Sequence, residues 1–103
     1  RSLRHIKNVF MKYKIKQRQF KQAKKLGVII KPSTLKNKKV DVFKNDKKIA
    51  SIGASGYKDY ATYINERGLE YANKRKKLYK QRHKTNRLIK GSNGYYADKL
   101  LWE

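Results

Sequence analysis

The sequence contains no cysteine. Disulfides and thiolate metal sites are therefore excluded, and nothing marks a redox compartment. There is one proline, Pro32, and one tryptophan, Trp102. No apolar run approaches the roughly 18 residues that suggest a membrane helix. The longest, Gly27-Val28-Ile29-Ile30, is far shorter, and no secretory apolar core is visible. The most informative absence is of negative charge: no carboxylate occurs before Asp41, while residues 1–40 hold 14 basic side chains.

What is present is mainly positive charge. Lys+Arg 29 against Asp+Glu 7 gives +22 in 103 residues. Self-repulsion of this size opposes compaction unless a polyanion or an acidic protein surface neutralises it. The length allows one domain at most. Hydrophobic residues make up 38%, little for a free-standing globule, and seven of the eight tyrosines follow Val40. Aromatic bodies with polar tips suit wet interfaces. The expectation is a chain ordered largely by its partner.

The uneven charge predicts two regions: residues 1–38 as a basic helical arm and linker, and 39–103 as a small module. In the arm, Leu3, Ile6, Phe10, Tyr13, Gln17 and Phe20 recur every three or four residues, which puts a narrow stripe along one helix. Ser2 is a candidate N-cap and Gly27 a candidate terminator. The stripe reads either as an amphipathic helix packed on its own domain or as an arm docked on a partner. Membrane-surface binding is disfavoured by Gln17 within a stripe that lacks tryptophan. Val28–Ile30 reads as extended, and Ser33–Lys39 as the linker that bounds the arm.

The module reads as α+β: one β-hairpin packed by helices. Val40–Lys44 and Lys48–Ile52 alternate, with a turn at Asn45-Asp46-Lys47. Two strands alone are marginal, so a helix must cover one face. Asp59 or Thr62 caps a short helix that Gly68 ends, and a longer helix runs from Leu69 to about Arg87 and covers the hairpin. Tyr71, Leu78, Arg75 and Arg82 share a face of that helix. Interleaved arginine and aromatic residues can stack and can pair with carboxylate or phosphate. The other reading is core tyrosines beside snorkelling basic stems. Residues 95–102 form a last short helix whose Leu100, Leu101 and Trp102 return to the hairpin. The expected anchors are Tyr60, Tyr71, Leu78 and Trp102. The expected partner-binding residues are Leu3, Ile6, Phe10, Tyr13, Phe20, Arg75 and Arg82.

No catalytic constellation is visible. His5 and His83 are far apart, and His83 lies between Arg82 and Lys84. Ser51, Ser55 and Ser92 have no base at recognisable spacing. Gly53-Ala54-Ser55-Gly56 is too short to cradle a phosphate and lacks the following lysine. The chain is read as a binding protein and not an enzyme, with no metal, no cofactor and no small-molecule substrate. Zinc-finger, RNP-type and helix-turn-helix signatures are absent, although the charge suits phosphate contacts.

The order of features from residue 39 on is more specific than the composition. Lys39-Val40-Asp41-Val42-Phe43 and Lys48-Ile49-Ala50-Ser51-Ile52-Gly53 run into Gly56-Tyr57-Lys58-Asp59-Tyr60. Arg75-Lys76-Lys77-Leu78-Tyr79-Lys80-Gln81-Arg82-His83 follows, and then Gly91 and Ala97-Asp98-Lys99-Leu100-Leu101-Trp102. This pattern resembles a family of small basic proteins encoded by large icosahedral DNA viruses of eukaryotes, such as chlorella viruses, iridoviruses and giant-virus relatives. The resemblance covers about residues 39–102 and implies no catalytic residue. It implies a virion component in the capsid layer. That role would be a minor capsid, or cement, protein contacting the major capsid protein and other minor capsid proteins, with nucleic acid or acidic surfaces as further partners. The alternatives are a protein that condenses or packages viral DNA and a ribosomal-type RNA-binding protein.

Overall fold

The structure, a computed structural model, describes residues 13–103. It is α+β. In chain order the described elements are α1 (Gln17–Leu26), β1 (Ile29–Pro32), β2 (Lys38–Lys44), β3 (Lys47–Ala54), α2 (Tyr60–Arg67), α3 (Leu69–Arg82), a 3-10 turn (Asn86–Leu88) and α4 (Asn93–Leu101). The strands form one antiparallel sheet in the order β1-β2-β3.

The hairpin forms where period-two alternation places it. Val40 and Val42 pair with Ile52 and Ala50, and all four side chains are buried on the inner face. The connection has two residues, with Lys44 opposite Lys47. Asn45 and Asp46 have φ of 54° and 63°, the left-handed values that a type I′ hairpin turn needs and that these two residue types tolerate. The expected three-residue turn is thus one residue shorter.

A third strand completes the sheet. Ile30 lies opposite Val42, and Ala23, Val28 and Ile30 share the core of Val40, Val42 and Ile52. The expected boundary at Ser33–Lys39 therefore falls between two hydrogen-bonded strands, and residues 13–38 belong to the same core as the module. The physical reason is the marginal stability of a two-stranded sheet, which Ile30 relieves. Pro32 is tolerated because β1 lies at the sheet edge.

The expected helix through the arm also changes. Tyr13–Lys16 is not helical, and α1 starts at Gln17. The Gln19 side chain fixes this start by accepting the Lys16 backbone N–H at 2.8 Å. The packed face carries Gln19 and Ala23, whereas Gln17 and Phe20, both in the expected stripe, are exposed. Gly27, at φ 74°, terminates the helix as expected, and its N–H donates to the Lys24 carbonyl at 3.2 Å.

The helix that covers the hairpin is α4. It packs on β3 and against α1, and buries Leu100 and Leu101. Gly53 admits it: a Cβ there would lie 2.9 Å from Leu101 Cδ1 and 3.0 Å from Lys39 Cδ, and φ is +81°. The expected cover, α3, packs instead on α2 and ends at Arg82 rather than Arg87. Its Leu69 and Leu78 are exposed, so it has too little apolar surface to seal a sheet. It reaches the core through Ala72 and Tyr79. Thr85 and Asn86 are poor helix formers, and the chain there turns into the 3-10 segment. Ser92 caps α4 by accepting the Tyr95 N–H at 3.1 Å.

Candidate functional site

The site begins with where the carboxylates go. Asp41, Asp59 and Asp98 are each 1% exposed. Asp41 stands on β2 and accepts from the Ser33 and Ser51 hydroxyls at 2.7 Å and from the Thr34 N–H at 3.2 Å, with Lys48 Nζ also at 3.2 Å. Asp59 caps α2 through the Thr62 N–H at 3.1 Å, accepts the Tyr13 hydroxyl, and pairs with Lys39 Nζ at 3.2 Å. Lys39 is the one buried lysine among the described residues. Asp98 lies 3.0 Å from Lys80 Nζ, but neither of its oxygens has an aligned hydrogen-bond donor; it is held by charge. Lys80 also pairs with Glu103, and Lys58 with Glu66 at 2.6 Å.

These environments shift the acids. Burial raises the Asp41 carboxyl, but the hydrogen bonds from Ser33 and Ser51 outweigh it and bring the group from 3.8 down to about 2. A folded value below the unfolded one gives stability that is complete above about pH 3.8 and is lost as the pH falls toward 2. Melting temperature followed from pH 5 to about pH 2 should fall less steeply in Asp41→Asn than in the unaltered protein. Burial also opposes ionisation of Asp59, yet the Lys39 charge and the Tyr13 hydroxyl hold its carboxyl below the ordinary range. Burial and the Asp59 charge together push the Tyr13 phenol up.

With three of its seven acids buried, the molecule turns basic groups outward. Some of them line two concave surfaces on either side of α3. On one side Lys76, Lys77, Lys84 and Arg87 line an open groove of about 630 Å³. On the other lies a cleft of about 420 Å³ bounded by β3, α3 and the start of α4. Trp102, Tyr79 and Tyr63 line the cleft, with Lys38, Arg75, Arg82 and His83. Tyr79 stacks on Trp102 with centroids 4.5 Å apart and planes 10° apart, and His83 lies 4.4 Å from its ring. The Arg75 guanidinium is 5.5 Å from the Tyr63 centroid. Burial, and after it the Asp98 charge, push the Tyr79 phenol up to about 12, so it stays a neutral donor. Asp59 also reaches the cleft, but Lys39 neutralises it.

Of the residues singled out by sequence, Arg75 and Arg82 are brought together in this cleft. Leu3, Ile6 and Phe10 lie outside the described residues. Tyr13 is not displayed to a partner: its hydroxyl meets Asp59 and accepts from Gln19 Nε2 at 2.7 Å, and Lys16 Nζ sits 4.3 Å from its ring. Phe20 is 48% exposed on α1. Tyr60 is buried, with its hydroxyl donating to Asn73 at 2.6 Å. Tyr71 is half-buried against Tyr63, under the Arg67 guanidinium. Trp102 is in the core. Leu78 is not an anchor: it is 43% exposed, and Ala72 and Tyr79 are the α3 side chains that reach the core. The sequence reading missed Gln19, Lys39, Tyr57 and Tyr63. Gly56-Tyr57 stands in the quoted pattern without a role of its own, and one buried lysine among 29 basic residues carries no local signal.

No family model matches the chain, and no curated protein and no solved structure is significantly similar to it.

Proposed function

We propose that this chain is a non-enzymatic structural protein that binds nucleic acid, in the role of condensing or packaging DNA within a virion. The observation that carries the reading is the segregation of charge. Three carboxylates are sealed in the interior, and cationic surfaces flank both sides of α3. A polyanion is the partner that such a surface attracts, since it supplies the missing negative charge along its length. Arg75 over the Tyr63 ring, with Arg82 in the same cleft, supports the same chemistry. The virion setting rests on the resemblance of residues 39–102.

The second reading is a cement protein of the capsid layer that contacts the major capsid protein and other minor capsid proteins. It is favoured by an exposed apolar spot on the outer face of the sheet, at the β1 edge. There Ile29, 61% exposed, lies opposite Phe43, with Lys31 Nζ 5.3 Å from the Phe43 ring. It is weakened by Tyr13, an expected partner anchor whose hydroxyl and ring are engaged in the protein's own fold.

Salt dependence tests the proposal. Fluorescence anisotropy with labelled duplex DNA should give a log–log slope of about −0.9 per phosphate contact, so six contacts would cost roughly a thousandfold in affinity between about 50 and 200 mM salt. Phe20→Ser, which removes an exposed ring and no charge, should leave this binding unchanged. If DNA does not bind, and Phe20→Ser instead blocks incorporation into a particle shell, the cement reading replaces the first.

A further inference from the structure

We infer that the cleft beside α3 receives one unpaired nucleobase of a single-stranded nucleic acid, stacked on Tyr57, and that single strands are thereby preferred over duplex. The inference rests on the nucleic-acid reading above and specifies its substrate.

It starts from an aromatic ring that folding does not explain. Tyr13 and Tyr60 give their hydroxyls to Asp59 and Asn73. Tyr63 meets Tyr71, Tyr79 meets Trp102, and Tyr95 meets Tyr96. Tyr57 has no such aromatic or hydroxyl partner among the described residues and is 74% exposed. Gly56, at φ +90°, turns the chain just before it, and Tyr57 stands where the cleft opens between β3 and α2. An exposed ring on a fixed turn is the form a stacking platform takes, because every base has a π-face to offer it.

The cleft fits the rest of a nucleotide. Its volume, about 420 Å³, falls within the range of small-ligand sites. Asn86 and Asn93 line it with amide donors and acceptors for a base edge, and Ser51, whose hydroxyl proton goes to Asp41, can still accept. Lys38 and Arg82 supply positive charge for the flanking phosphates. A paired base cannot use this site, since both its faces are already stacked in the duplex. The open groove on the other side of α3 makes no such distinction, because it offers charge without an aromatic ring.

The test compares a labelled oligo-dT with a duplex of equal length and with thymidine monophosphate. Trp102, the single tryptophan, lines the cleft, so its emission reports on occupancy. The oligomer should bind more tightly than the duplex and change that emission. Tyr57→Ala should weaken oligo-dT binding by about tenfold and leave duplex binding unaltered, and Tyr57→Phe should restore the loss. Unchanged melting temperature in both variants separates this from misfolding. Equal loss for both nucleic acids, or no loss for either, overturns the cleft assignment and leaves DNA binding standing. Monophosphate binding as tight as the oligomer also overturns it, by assigning the cleft to a free nucleotide. Failure of every nucleic acid to bind overturns the parent reading itself.

Discussion

Trp102→Ala is expected to destabilise the protein by ~3–5 kcal/mol, the cost of deleting a well-packed aromatic side chain. Trp102 is 8% exposed and stacked face to face on Tyr79, with Tyr63 at 6.2 Å. It follows Leu100 and Leu101, the residues by which α4 seals the sheet, and it joins that seal to α3. Removal thus opens a cavity and releases the contact between two layers. Aromatic pairs contribute about 0.5–1.5 kcal/mol beyond the area they bury, so part of the loss belongs to the stack itself. Trp102→Phe should retain most of the stability. Urea unfolding measures both variants, and a loss below ~1 kcal/mol in Trp102→Ala would mean that the ring does not hold the core. The alanine variant should also release the Tyr79 phenol from its raised value of about 12 toward the ordinary one, visible in an ultraviolet titration.

Asp59→Ala should be of similar size, ~3–5 kcal/mol, for a different reason: it leaves a charge buried without its partner. Lys39 is 7% exposed and its ammonium meets Asp59. The same carboxylate caps α2, a contribution of about 1 kcal/mol, and accepts the Tyr13 hydroxyl. Lys39→Met combined with Asp59→Ala should recover part of the loss, because no orphaned charge remains. A double-mutant cycle in urea measures the coupling. If the double variant is less stable than the unaltered protein by the full sum of the two single effects, the pair is not coupled and the account of Asp59 is wrong.

The parts of the fold that were legible in the sequence are those with a local cause. The hairpin follows from alternation, the α2 start from Asp59, the α1 end from Gly27, and the return of Leu100–Trp102 from an apolar run after a glycine-rich loop. What was missed depends on partners far along the chain. Tyr13 meets Asp59 across 46 residues, and Arg18 donates to the Glu103 carbonyl across 85. Val28–Ile30 reads as extended in the sequence, but a strand of only four residues that contains a proline carries no sign that it pairs with the hairpin. The three- and four-residue spacing that ended at Phe20 was real, but α1 starts later and packs the neighbouring face, on which a glutamine is buried. For the cleft, the sequence supplied Arg75 and Arg82, which lie on one helix. It could not supply Tyr57 or Tyr63, which other segments bring to the same place.

The internal ion pairs have a consequence for how this sequence can change. Lys39 serves the fold, and Lys80, between Asp98 and Glu103, serves it in part. Among the described residues most other lysines and arginines stand in solvent, where a substitution typically alters stability by within about 0.5 kcal/mol. The cationic exterior is therefore free to drift residue by residue, with lysine exchanged for arginine or a charge moved one turn along α3, while the interior stays fixed. Two relatives of this chain could differ at most of their basic positions and still share one core.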